Sequence, residues 1–98
     1  PGMGVEEILW SKREEILRIA EQHGASQVRV FGSVARGDAR SDSDVDLLVK
    51  AGPHTSPWFP AGLILDLEEL LERKVDVLTE GGLHWYLRDR ILAEAVPL

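Results

Sequence analysis

Asp44 and Asp46 stand two residues apart at the start of an apolar run, Ser43-Asp44-Val45-Asp46-Leu47-Leu48-Val49. In an extended strand alternate side chains share a face, so both carboxylates point the same way, about 7 Å apart. Two anions at that spacing repel each other unless a cation lies between them. Asp46 is the harder one to place without a cation. It is flanked by Val45 and Leu47, aspartate is depleted in strands, and an unpaired carboxylate is costly to bury. A divalent metal with hard oxygen ligands resolves the conflict. Asp76, in Val75-Asp76-Val77-Leu78, is a third acid inside an apolar run. Three carboxylates suffice to hold two Mg²⁺, with Mn²⁺ as the alternative, at the ~3.5–4 Å separation of phosphoryl-transfer sites. Asp42 extends the series to i, i+2, i+4. It lies, however, in the polar stretch from Asp38 to Ser43, where aspartate is a common turn residue.

A second group precedes the acids. In Phe31-Gly32-Ser33-Val34-Ala35-Arg36-Gly37, the Gly32-Ser33 pair breaks a strand and opens a turn. Glycine lets the backbone come close to a phosphate, and the N–H groups of the turn and the Ser33 hydroxyl can donate to its oxygens. Arg36, one helical turn further, either adds positive charge there or pairs with Asp38 or Asp42. Phosphate donors beside metal-binding acids describe a site for a metal–triphosphate.

These residues need elements to hold them. Residues 5 to 23 read as one helix, with Val5, Ile8, Leu9, Ile16, Ile19 and Ala20 on its inner face and Gly24 at its left-handed end. Val28 to Phe31 is a short strand, and Val34 to Gly37 one helical turn. Val45 to Val49 is the second strand, with Val45, Leu47 and Val49 facing the core. Residues 51 to 60, with Pro53, Pro57 and Pro60, form an irregular loop. A second helix carries Leu63, Ile64, Leu67, Leu70 and Leu71, and a third strand runs from Lys74 to Thr79. Gly81-Gly82 turn the chain into a last helix, 83 to 95, with Leu83, Leu87, Ile91 and Ala95 on one side and Arg88, Asp89 and Arg90 outward.

The order is α-β-(turn)-β-α-β-α. The helical crossover predicts that strands two and three are parallel, and the shorter connection predicts that strands one and two are antiparallel. The expected fold class is α/β with α+β character: a small mixed sheet of three to four strands, helices packed mainly on one face, in a single domain over residues 1–98.

Composition narrows the function. The net charge is −6, and eleven Lys and Arg are scattered among seventeen acids, so processive grip on a nucleic acid is disfavoured. No apolar run reaches the ~20 residues that span a bilayer. No signal peptide is visible, and with no cysteine there is neither a disulfide nor a thiolate metal site, so the cytoplasm is the default compartment. Pro1-Gly2 precede the only methionine, Met3, and read as a cloning remnant.

Taken together, Gly32-Ser33, then Asp44-Val45-Asp46, then Asp76 resembles the nucleotidyltransferases of the DNA polymerase β superfamily. Their pattern is Gly-Ser, roughly ten residues, Asp-hydrophobic-Asp, and a third Asp on a later strand. The fuller string, with Ala35-Arg36-Gly37 and Ser43-Asp44-Val45-Asp46-Leu47, is similar to the minimal nucleotidyltransferases, the small partners of HEPN-domain proteins in prokaryotic toxin–antitoxin pairs. Arg88 to Ala95 is similar to the C-terminus of that subgroup. The resemblance covers most of residues 5 to 98, and positions 31 to 49 and 75 to 77 are its specific part.

It implies the nucleotidyltransferase fold and an ATP-dependent adenylyltransferase. Asp44 and Asp46 would bridge both metals, Asp76 would complete the metal nearest the attacking hydroxyl, and Gly32 and Ser33 would hold the β- and γ-phosphates. The implied acceptor is a hydroxyl, specifically a tyrosine of a HEPN toxin. The rival reading is an antitoxin that neutralises such a toxin by contact alone. An aminoglycoside-type or template-independent polymerase activity is a third, weakened by the missing second domain and the acidic balance.

Other residues carry weaker signals. His23, His54 and His84 are far apart and lack metal-ligand spacing, which favours surface roles. Trp10, Trp58 and Trp85 are expected to pack, and so is the Trp58-Phe59 pair, although such a loop pair could stack on a base.

Overall fold

The structure, a computed structural model, describes residues 4–40 and 42–98. The reading of Pro1 and Gly2 falls outside them.

The expected first helix is two helices, α1 (Val5–Ser11) and α2 (Arg13–Gln22), separated at Lys12. The break comes where the apolar stripe lapses: Leu9 and Ile16 are buried, but neither 12 nor 13 is apolar. Lys12 instead extends Nζ toward the Leu70 carbonyl, at 3.4 Å. Each helix can thus lay its own short stripe on the sheet. Gly24 ends α2 with φ +84°, as expected of a left-handed helix end. A Cβ there would run into the His54 carbonyl, because the 52–56 loop lies directly against it.

β1 (Ala25–Phe31) leads into the short helix α3 (Ser33–Arg36), then β2 (Val45–Ala51). Next come α4 (Ala61–Leu71), β3 (Val75–Thr79), a 3₁₀ turn at Glu80–Gly82, α5 (Trp85–Glu94) and β4 (Val96–Pro97). The sheet order is β3-β2-β1-β4. β1 and β2 are antiparallel and β2 and β3 parallel, as the connection lengths predict. The fourth strand has only two residues, one a proline, which leaves no periodicity to read. It pairs antiparallel at the edge of β1, where proline is tolerated.

β2 divides the molecule. Val45, Leu47 and Val49 are at most 1% exposed and pack with Leu9, Ile16, Ala20, Leu63, Leu67 and Leu71 from α1, α2 and α4. Leu48 points to the opposite face, where it forms a smaller cluster with Phe31 and Ile91 of α5. Helices therefore lie mainly on one face, with α5 on the other.

Two expectations about side chains do not hold. The tryptophans do not pack: Trp10 is 50% exposed, Trp58 87% and Trp85 85%. The Trp58-Phe59 pair is split, because Phe59 turns into the large core while Trp58 turns out. Nor is His23 a surface group. Its Nδ1 lies 2.6 Å from Ser56 Oγ and its Nε2 2.7 Å from Asp66 Oδ2, so it joins the end of α2 to the loop and to α4. Neither contact could be read from residues 33 and 43 positions away. No helix among the described residues is long and apolar enough to cross a membrane.

Candidate active site

The face of the sheet under α5 carries the chemistry. Phe31 pairs with Asp46 across β1 and β2, and Asp46 pairs with Asp76 across β2 and β3. The two acids therefore stand side by side on neighbouring parallel strands, because the crossover through α4 brings β3 beside β2 in that register. Gly32 follows Phe31 directly, with φ +75° and ψ −153°. A Cβ at this position would strike the Asp46 carboxylate. Both the backbone angle and the space demand glycine here, and the demand comes from the acid of the other motif. The Gly-Ser turn and the Asp-Val-Asp run meet at this contact between Gly32 and Asp46, fourteen positions apart in sequence.

Asp46 is half-buried, whereas Asp44 and Asp76 are exposed. Burial pushes the Asp46 carboxyl above its ordinary pKa, and the charges of Asp76 and Asp44 push it further. Arg36 pulls the other way, and Glu94 adds to the rise. Asp42 is exposed and is not among the charges that shift Asp46. The three aspartates thus share one electrostatic neighbourhood but do not close on a point. Among the described residues, no three Asp, Glu or His side chains are gathered tightly enough to hold a metal ion. The donor set itself suits a divalent cation: hard oxygens, with one carboxylate raised by burial and by its acidic neighbours and open to relief by positive charge.

Beside Asp46 lies an open cleft of about 350 Å³. Gly32, Ser33 and Arg36 form one wall, and Leu87, Arg90, Ile91 and Glu94 of α5 the other, over Phe31. Glu94 crosses the gap. Its Oε2 accepts the Gly32 N–H at 3.0 Å, and its Oε1 accepts Arg36 Nη1 at 2.8 Å. Arg36, followed by the Gly32 N–H, holds the Glu94 carboxyl below its ordinary pKa. Arg36 also approaches Asp38, at 3.4 Å, which is one of the pairings its position suggests.

Glu94 and Arg90 are the cleft residues that sequence reasoning missed. A signal was present, since Leu87, Ile91 and Glu94 recur at four and three residues along one side of a helix. An acid at the end of an otherwise apolar stripe faces something polar.

The sequence and the fold both have known counterparts. The sequence pattern of the nucleotidyltransferase domain family matches residues 13–98. A Methanocaldococcus jannaschii protein, assigned provisionally as a protein adenylyltransferase, is 41% identical over 86 residues, covering 88% of this chain and 92% of its own. The protein adenylyltransferase MntA of Thermococcus cleftensis is 35% identical over 92 residues, covering 94% of this chain and 90% of its own. A solved structure assigned provisionally as a minimal nucleotidyltransferase shares 49% identity with a TM-score of 0.85, over 98% of this chain and 97% of that one. A toxin–antitoxin crystal structure with AMP-PNP has the same fold, with a TM-score of 0.74 at 19% identity, over 86% of this chain and 69% of that one. By its sequence pattern, its relatives and its fold, this chain belongs to the nucleotidyltransferase domain family, and its enzymatic class is nucleotidyl transfer.

Proposed function

We propose that the chain transfers AMP from ATP to a hydroxyl of a partner protein, specifically a tyrosine of a HEPN toxin, and that it is the antitoxin of that pair. The observation that carries this reading is the contact of Gly32 with Asp46, with Asp76 in register beside it. It joins a turn suited to phosphate to a set of acids suited to a divalent metal. The names of the relatives as protein adenylyltransferases support a protein acceptor and adenylyl transfer.

In this reading the acceptor oxygen forms a bond to the α-phosphorus of ATP, the bond to the bridging oxygen of pyrophosphate breaks, and the acceptor proton is lost. Asp44, Asp46 and Asp76 would hold Mg²⁺, which neutralises phosphate charge when bound. Asp76, exposed on the strand beside Asp46, would help take the acceptor proton. Gly32, Ser33 and Arg36 line the cleft, and the Gly32 N–H, the Ser33 hydroxyl and the Arg36 guanidinium would orient the phosphates. The cleft is open, with α5 as one wall, so in this reading the partner presents its own hydroxyl in line with the leaving pyrophosphate.

The contact-only antitoxin remains the competing reading. It is favoured by the acids that do not close on a point and by the phosphate donors already taken by Glu94. Incubation with ATP, Mg²⁺ and the helical protein encoded beside it, followed by mass spectrometry, separates the two. The transferase reading expects the partner to gain one or more AMP units, and Asp44→Asn to abolish the gain. A partner bound and silenced with no mass change supports contact alone.

A further inference from the structure

Glu94 holds two of the donors that the transfer reaction needs. The Gly32 N–H has one hydrogen to give, and it is given to Glu94 Oε2 at 3.0 Å. Arg36 gives Nη1 to Glu94 Oε1 at 2.8 Å. A phosphate oxygen cannot take the same hydrogens while the carboxylate keeps them. Nor can a phosphate and the Glu94 carboxylate share the space cheaply, because both are anions and a third, Asp46, lines the same cleft.

We propose that Glu94 is a built-in competitor of the triphosphate: its carboxylate sits on Gly32 and Arg36 until the phosphates of the nucleotide displace it. The proposal rests on reading the cleft as the nucleotide site and adds to that reading a control of access exerted by α5. A carboxylate and a phosphate oxygen present the same chemistry to an N–H and a guanidinium, so each substitutes for the other.

The fold shows how the exchange proceeds. The backbone around Glu94 is fixed on both sides. Before it, Ile91 is buried against Phe31 and Leu48. After it, Val96 and Pro97 pair with β1, and the Leu98 N–H donates to the Val28 carbonyl at 3.1 Å. Moving the helix would break that pairing, whereas turning the side chain breaks only the two bonds to Gly32 and Arg36. The Glu94 side chain is 19% exposed, at the rim of the cleft, and has water to turn into. Arg36 keeps Asp38 as a partner at 3.4 Å when Glu94 leaves. The apparent affinity for nucleotide is then lowered by the fraction of molecules whose seat is occupied.

Calorimetric titration of wild type, Glu94→Gln and Glu94→Ala with a non-transferable ATP analogue and Mg²⁺ tests this. Removing a competitor held by charge-assisted hydrogen bonds is expected to tighten binding about 10-fold in Glu94→Ala. A smaller gain is expected in Glu94→Gln, which keeps an acceptor for Gly32 but no charge. The Gly32 amide resonance should shift on Glu94→Ala without nucleotide, and on nucleotide binding in wild type. If Glu94→Ala is unstable, Glu94→Gln alone decides by the same direction. Equal or weaker binding in the variants, with wild type binding normally, overturns the proposal and makes Glu94 a positioning residue for Arg36. If none of the three proteins binds the analogue, the nucleotide reading of the cleft fails, and this proposal with it.

Discussion

On one face of the sheet Val45, Leu47 and Val49 meet three helices and are at most 1% exposed; on the other, Phe31, Leu48 and Ile91 make a cluster of three buried side chains under a single helix. The same strand serves both, with its odd residues in the large core and its even ones on the thin side. The acids lie on the thin side. Asp46 could not be accommodated among Leu47, Leu63 and Leu67, where an unpaired charge would lose its hydration with nothing in return. Under α5 it is only half-buried and borders an open cleft. The large core holds the fold while the thin face holds a charge conflict, and separating them lets the second exist without undoing the first.

The comparison breaks first at its stronger side. Leu47→Ala removes a fully buried side chain from the large core and is expected to lower stability by about 4 kcal/mol, read from chemical denaturation. A loss near 1 kcal/mol would mean that the core on that face does not carry the fold.

Asp46→Asn is expected to act in the opposite way, cutting transfer roughly 10²–10³-fold while leaving the fold intact. Stability without metal should rise at neutral pH. The sign follows from the raised pKa: the folded state favours protonated Asp46, so its ionisation costs stability as pH climbs from the ordinary aspartate range through the folded-state pKa. The advantage of the Asn variant should therefore shrink as pH falls below that range. Glu94, whose pKa is lowered, contributes with the opposite sign: its stabilisation is present above the ordinary glutamate range and is lost as pH falls through its folded-state value. An Asp46→Asn protein that unfolds at neutral pH would show that the acid is structural.

Ile91→Ala sharpens the contrast between the faces. Ile91 is 8% exposed in a small cluster, so the expected loss is about 2 kcal/mol, less than for Leu47→Ala. Amide exchange should quicken in α5 before it quickens in α4. Uniform quickening would mean that the two faces open as one unit.

The smallest effect concerns the loop between β2 and α4. His23→Ala removes the two contacts to Ser56 and Asp66 and is expected to cost about 1 kcal/mol. Faster proteolysis near the exposed Trp58 would report it, while the Ser56 N–H bond to the His23 carbonyl, at 3.1 Å, would persist. An unchanged loop would show that the backbone contacts alone hold it.

Much of this was legible in the sequence because it depends on local periodicity and motif spacing. Alternation along residues 45–49 gives the two faces of β2. The length of the connection through residues 61–71 gives a parallel neighbour, but the register that pairs Asp46 with Asp76 is set only in the folded sheet. Gly24 stands where the end of a helix needs positive φ.

What only the tertiary structure decided is where distant side chains meet. The contact between Gly32 and Asp46, the reach of Glu94 across the cleft to Gly32 and Arg36, and the bridge from His23 to Ser56 and Asp66 all join residues with no periodic relation. The exposure of Trp10, Trp58 and Trp85 is likewise a matter of how much surface the helices leave uncovered, which residue type does not encode. Sequence sets which face a residue occupies, because backbone periodicity is local. Its partner across the cleft depends on how whole elements pack, and here the packing of α5 on the thin face placed Glu94 over Gly32 and Arg36.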